Sequence, residues 1–205
     1  HGHIAAVGFE MYCRLMEEAV RELKGEAKLP PVEPQVDLSI NAYLPENYVP
    51  SARDKMQLYK AIAACHSEED VAEVADDLID RYGDPPREVV ALLEVARLKA
   101  LARQVGIAGL TQRGHKVILT VAPGIYLLPE ELITLIRASQ RRLVVVPDKE
   151  RELIFRTEGL PVEQVTAAIR HLLQQVKELV ATRLLVSTGT LVSPGTKEYN
   201  VKSDS

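Results

Sequence analysis

Residues 68–82, Glu-Glu-Asp-Val-Ala-Glu-Val-Ala-Asp-Asp-Leu-Ile-Asp-Arg-Tyr, constrain this chain more than any other stretch. Val71, Val74, Ala75, Leu78, Ile79 and Tyr82 fall at i, i+3, i+4, i+7, i+8 and i+11, a single apolar stripe on a helix. Ser67 is an N-cap, and Glu68, Glu69 and Asp70 suit the positive end of the helix dipole. Gly83 and Pro85-Pro86 stop it. A helix with one apolar side must lay that side on something, so the stripe should be buried through Ile79 and Tyr82, with the charged residues facing out.

The neighbouring segments supply what it packs on. Ser51, with Asp54 three residues on, caps a helix running to about Cys65. A third helix spans about 86–105 and ends at Gly106; its aliphatics (Val89, Val90, Leu92, Leu93, Leu98, Leu101) predict burial on most sides. After Gly106 the pattern changes. Leu110-Thr111-Gln112, a turn at Gly114 and Lys116–Val121 read as a hairpin. Pro129 opens a short helix to 139, and Leu143–Val146 pairs with Glu152–Arg156 across Asp148-Lys149. Pro161 starts a last helix to about 181, and 187–205, rich in Ser, Thr, Gly and Lys, reads as a loose tail. Upstream, Val36, Leu38, Ile40 and Ala42 alternate with Asp37, Ser39, Asn41 and Tyr43 as a half-buried strand. Residues 9–24 carry a helical repeat, and Leu29-Pro30-Pro31-Val32-Glu33-Pro34 reads as an extended linker. The expected fold class is α+β, an N-terminal helical half packed with a small, mostly antiparallel sheet and flanking helices. The expected division is a helix in 1–24, a linker in 25–35, a domain in 36–181 and a flexible tail in 182–205.

Composition excludes several functions. Net charge is −4, from 25 basic and 29 acidic residues, so the surface as a whole is not that of a nucleic-acid binder. Cys13 and Cys65 lie far apart without CxxC spacing, which argues against zinc and disulfides and fits a reducing, cytoplasmic setting. Both lie on or near apolar helix faces, as core residues do. No apolar run reaches the ~18 residues of a membrane span. The start, His1-Gly2-His3, is neither a signal peptide nor an initiator Met, and points to a fragment of a longer protein. Gly189–Lys197 lacks the phosphate-loop pattern, the five histidines are scattered, and no nucleophile motif occurs. No residues assemble an acid, a base and an oxyanion site, and no cofactor is expected.

Charge is segregated along the chain. Between His66 and Val95 there are ten acids (Glu68, Glu69, Asp70, Glu73, Asp76, Asp77, Asp80, Asp84, Glu88, Glu94) and two bases, Arg81 and Arg87. From Arg97 to Lys116 there are five bases (Arg97, Lys99, Arg103, Arg113, Lys116) and no acid. The acidic helix face reads either as an ordinary solvated face beside a basic one or, more sharply, as a docking surface for a basic partner. Asp77 and Arg81 stand at i, i+4 and can pair, leaving Asp80 available. The competing function is an accessory nucleic-acid-binding domain using the basic residues of 97–116 with Arg137, Arg141 and Arg142. With no Trp and two Phe, it has little to stack bases on.

Three stretches carry a family resemblance. Gly2-His3-Ile4-Ala5-Ala6-Val7-Gly8-Phe9-Glu10-Met11-Tyr12 resembles the segment closing the motor of bacterial transcription-repair coupling factors, in a motif shared with the RecG helicase. Val36-Asp37-Leu38-Ser39-Ile40-Asn41-Ala42-Tyr43-Leu44-Pro45 is similar to the start of that family's C-terminal domain. Asp77-Leu78-Ile79-Asp80-Arg81-Tyr82-Gly83, with Pro85-Pro86 and Ala96-Arg97-Leu98-Lys99, resembles that domain's acidic helix and its successor. The resemblance covers roughly 1–160. It implies a non-catalytic, autoinhibitory C-terminal domain of a DNA translocase whose ATP and magnesium site, and whose contacts with DNA, lie upstream. The domain would dock on a UvrB-like module of the same protein and mask its UvrA-binding surface, with RNA polymerase an indirect partner. Carried over by motif, the contacts to that module are Asp77, Asp80 and Arg81; Asp77 stands where the family pattern has Glu.

Overall fold

The structure, a computed structural model, describes residues 32–146, 149 and 151–189, with side chains up to 182. The predicted helix at 9–24, Cys13, the first resemblance-bearing stretch, Gly2–Tyr12, and the first half of the Pro-rich stretch, 29–31, lie outside the described residues. The chain divides into two units, and the larger, Lys28–Leu179, holds the sheet and the helical cluster.

In chain order the elements are β1 (Gln35–Asp37), α1 (Ala52–Ala64), α2 (Glu68–Tyr82), α3 (Arg87–Gln104), β2 (Ile107–Arg113), β3 (Lys116–Val121), α4 (Pro129–Ala138), β4 (Leu143–Val145), β5 (Glu152–Arg156) and α5 (Val162–Gly189). The fold is α+β. The five strands form one sheet in the order β1-β2-β3-β5-β4, with β1 parallel to β2 and all other pairs antiparallel.

The helical half forms because two amphipathic helices and a third buried on most sides share one apolar cluster. Leu44, Val49 and Leu58 meet Val71 and Leu78 of α2, and Val89, Leu93 and Ala96 of α3, all buried. Each fully buried aliphatic side chain contributes about 1.5–3 kcal/mol over its exposed state. The Ser51 hydroxyl accepts the Asp54 N–H at 3.2 Å, capping α1. At α2 the box is complete: Ser67 Oγ accepts the Asp70 N–H at 3.0 Å, and Asp70 accepts the Ser67 N–H at 3.0 Å. The His66 N–H also donates to Asp70 at 2.7 Å, and these backbone donors hold the Asp70 carboxyl below its usual range.

Ile79 departs from the expected burial: it is 42% exposed. Val71 and Leu78 point into the cluster, and Val74, Ala75 and Tyr82 pack against it, so Ile79 is left on the stripe's outer edge. The sheet buries one face, with Leu110, Val117, Leu119, Val121, Leu143, Leu153 and Phe155 all turned inward. Lys116, Ile118 and Thr120 alternate with them onto the other face. Gly106, at φ 73, makes the turn from α3 into β2. A Cβ there would stand 2.7 Å from Ile125 Cγ1, so only glycine suits the position.

Three boundaries differ from expectation. The strand predicted from Val36 to Ala42 is a three-residue ladder, because later backbone donors bond elsewhere. Ser39 N–H goes to Gln112 Oε1 (3.0 Å), Ile40 N–H to the Leu38 carbonyl and Tyr43 N–H to the Glu88 carbonyl. The last four residues of the expected linker, 32–35, lie on the domain: Val32 and Pro34 are buried, Glu33 bonds to α3 and Gln35 opens β1. The last helix runs past 181 to Gly189, into the span expected to be tail. Leu184-Leu185-Val186 continues the helical sequence, and no helix breaker occurs before Gly189.

Candidate docking surface

The exposed side of α2 carries the residues singled out in the sequence. Asp77, Asp80 and Arg81 all project from the fold. Asp77 is 54% exposed and takes a hydrogen bond from Arg81 Nη1 at 3.2 Å, the expected i,i+4 pair. Asp80 is exposed and pairs with no cation among the described residues. One turn on, the guanidinium is held from several sides. Arg81 Nη2 donates to the Tyr82 hydroxyl at 2.9 Å, lies 3.8 Å from Asp54 Oδ2, and its Cζ stands 5.0 Å from the Tyr82 ring centre. The Tyr82 hydroxyl donates in turn to Asp54 Oδ2 at 3.3 Å.

Two residues that shape this surface were not singled out in the sequence. Asp54 reads as a first-turn acid of α1, yet its carboxylate reaches the last turn of α2 through Tyr82 and Arg81. Tyr48 reads as part of a proline-bracketed loop. Its hydroxyl donates to the carbonyls of Gly83 (2.8 Å) and Leu78 (3.3 Å), and its ring packs against Tyr82 at 5.7 Å. It thereby satisfies the carbonyl of Gly83, the C-cap of α2, and burial pushes its hydroxyl pKa up. The signal for Tyr48 was a buried-type aromatic two residues before Pro50; a partner thirty residues away has no local signature.

The residues of the competing nucleic-acid function fall into separate groups. Arg97 bonds Glu94 at 2.6 Å, and Glu94 also meets Arg170 of α5 at 3.6 Å. Lys99 and Arg103 both bond Glu33, at 2.7 and 2.6 Å, and the Lys99 hydrogen bond leads in lowering the Glu33 carboxyl pKa. These three bases on α3 are therefore each paired with an acid of the fold and are mostly covered. Arg113 and Lys116 lie on the β2–β3 hairpin instead, and Arg137, Arg141 and Arg142 on α4 and the turn after it. Cys65 is buried, its thiol pKa raised by that burial, and packs in the helical cluster. Among the described residues no group of His, Cys, Asp and Glu is arranged to hold a metal ion, and no helix is long and apolar enough to cross a membrane.

A three-helix cluster on a mixed five-stranded sheet, presenting a charged helix face, is an α+β domain. The TRCF domain family model matches residues 38–143, 106 of the 205 residues, and the chain belongs to that family. Curated relatives agree. The transcription-repair-coupling factor of Staphylococcus epidermidis is 36% identical over 125 residues, which is 60% of this chain and 11% of that protein. The factor of Bacillus subtilis is 37% identical over 123 residues, 60% of this chain and 10% of that protein. The chain thus spans about a tenth of the length of these relatives. A crystal structure of the C-terminal domain of a transcription-repair coupling factor shares the fold, with a TM-score of 0.67 at 20% identity, covering 74% of this chain and 96% of that one.

Proposed function

We propose that this chain is the non-catalytic C-terminal regulatory domain of a transcription-coupled DNA repair translocase, docking through α2 onto a basic, UvrB-like module of the same protein. Docked there, it masks the surface that recruits UvrA; ATP hydrolysis with magnesium, DNA tracking and contact with RNA polymerase belong to other parts of that protein, in the cytoplasm. One observation carries this. The exposed face of α2 sets an unpaired carboxylate, Asp80, beside an exposed apolar side chain, Ile79, on a helix anchored from behind. Apolar contact flanked by complementary charge is the ordinary make-up of a reversible interface. Family membership supports the same assignment.

The test is the Asp77→Ala/Asp80→Ala variant of the complete coupling factor. Both positions are exposed, so stability should hold within about 0.5 kcal/mol. UvrA binding, measured by biolayer interferometry, should rise several-fold to tens of fold, and the wild-type factor should approach the variant as salt is raised. A variant that binds UvrA no better than wild type overturns the proposal.

A further inference from the structure

The register of the sheet assembles a second charged surface that no single stretch of sequence reveals. Arg113 of β2 stands opposite Lys116 of β3, and Lys116 stands opposite Arg156 of β5. The Arg156 N–H donates to the Arg142 carbonyl at 2.9 Å, extending the same row one residue beyond β4. Directly opposed residues share a face, so four basic side chains line one end of the sheet, on the face opposite the buried core. Strand spacing of about 4.8 Å makes the row roughly 14 Å long.

Nothing inside the described fold neutralises its centre. Lys116 and Arg156 are exposed, directly opposed like charges, and neither has an ion pair or side-chain hydrogen bond among the described residues. Like charges directly opposed destabilise a sheet. Arg142 is pinned in place, its Nη1 donating to the carbonyls of Arg156 (3.2 Å) and Glu158 (2.9 Å). Next to it Gln140 and Arg141 take φ values of 52° and 62°, a conformation costly for non-glycine residues, and Arg141 is exposed. Arg113 pairs with Asp37 at 3.1 Å, and the Glu158 carboxylate lies nearby in sequence. Five bases (Arg113, Lys116, Arg141, Arg142, Arg156) less two acids (Asp37, Glu158) leave +3 on a chain whose total is −4.

We propose that this row is a contact surface for the phosphate backbone of double-stranded DNA. Over roughly 14 Å one strand of a duplex presents about four phosphates. The neighbouring row of the same face, Thr111, Ile118, Ile154 and Val144, has no aromatic ring on which an unpaired base would stack, which disfavours single strands. A regular file of long cations without a central aromatic anchor matches a repeating polyanion better than the surface of an acidic protein. This surface is separate from the acidic face of α2 and uses none of its residues.

The experiment titrates the 205-residue chain against a fluorescent duplex of about 20 base pairs, read by anisotropy. Three phosphate contacts predict affinity falling about 40-fold between 50 and 200 mM salt. The Lys116→Ala/Arg156→Ala variant should keep only about a 3- to 4-fold dependence. It should also melt no lower than wild type, because it removes an opposed like-charge pair. The Asp77→Ala/Asp80→Ala variant should bind duplex as wild type does, so this test and that of the α2 surface fail independently. The proposal is overturned by absence of duplex binding at 50 mM salt, by equal binding of the Lys116/Arg156 variant, by tighter binding of a single strand of the same length, or by tighter binding of a glutamate-rich peptide of equal charge.

Discussion

Replacing Tyr48 by Phe removes one hydroxyl and leaves the ring. That hydroxyl has a single proton, shared between the Gly83 carbonyl at 2.8 Å and the Leu78 carbonyl at 3.3 Å. One intramolecular hydrogen bond contributes about 0.5–1.5 kcal/mol net. The Gly83 carbonyl is near solvent and can take water instead, so a loss of about 1 kcal/mol is expected. For a unit of this size that lowers Tm by about 3 °C. Tyr48→Ala also removes packing against Tyr82 and the helical cluster, and should cost about 3 kcal/mol. A second readout separates the hydroxyl from the ring. Burial raises the Tyr48 pKa in the folded state, so its contribution is complete below the unfolded value near 10 and is lost as pH climbs above it. Urea unfolding between pH 8 and 11 should show a decline in wild type that is shallower in Tyr48→Phe. Equal stability of the two proteins at pH 8, with superimposable alkaline declines, would refute the claim that this hydroxyl holds the end of α2.

Ser67→Ala should cost about 1 kcal/mol by removing half of the capping box, seen as faster amide exchange in the first turn of α2. Its partner Asp70 has a depressed pKa, so its contribution is present above the unfolded value near 3.9 and lost as pH falls through the lower folded one; Asp70→Asn should flatten that acid decline. Glu33→Gln should loosen residues 32–37 from α3, because one carboxylate serves both Lys99 and Arg103, and limited proteolysis should cut there sooner than in wild type.

How much of this was legible follows from where each feature's partners sit. Helix α2 was readable to the residue, since its period, its cap Ser67 and its stop Gly83 are all local. Ile79 was not: a stripe six residues long exceeds what α1, α3 and the Tyr48 loop cover, and only packing decides which edge stays open. The length of β1 was hidden because the alternation continues to Ala42 while its hydrogen bonds end at Asp37. The fate of the basic stretch was equally non-local. Lys99 and Arg103 find Glu33 about seventy residues upstream, whereas Lys116 finds Arg156 opposite it, and charge counting cannot tell a neutralised base from a gathered one.

The geometry also separates three residues that the family resemblance treats alike. A tethered domain meets its site at an effective concentration of order 1 mM, so an intrinsic Kd of ~10 μM holds it closed about 99% of the time, ~2.7 kcal/mol. A latch this shallow is tipped by single exposed contacts of about 0.2–1 kcal/mol. Asp80 has its whole charge to offer, so Asp80→Ala should raise UvrA binding by up to about 5-fold. The Asp77 carboxylate is already engaged by Arg81, and a partner arginine gains from it only the remainder, so Asp77→Ala should change binding less than about 2-fold. Arg81 is committed to Asp77, Asp54 and the Tyr82 hydroxyl, and acts by holding the end of α2 to α1. Two equal contacts of ~1 kcal/mol would multiply to roughly thirtyfold in the double variant; an engaged Asp77 predicts nearer tenfold. Measuring both single variants of the complete factor against UvrA decides it. A larger effect from Asp77→Ala than from Asp80→Ala would mean that the Asp77–Arg81 pair opens on docking and that the face of α2 rearranges when it meets its partner.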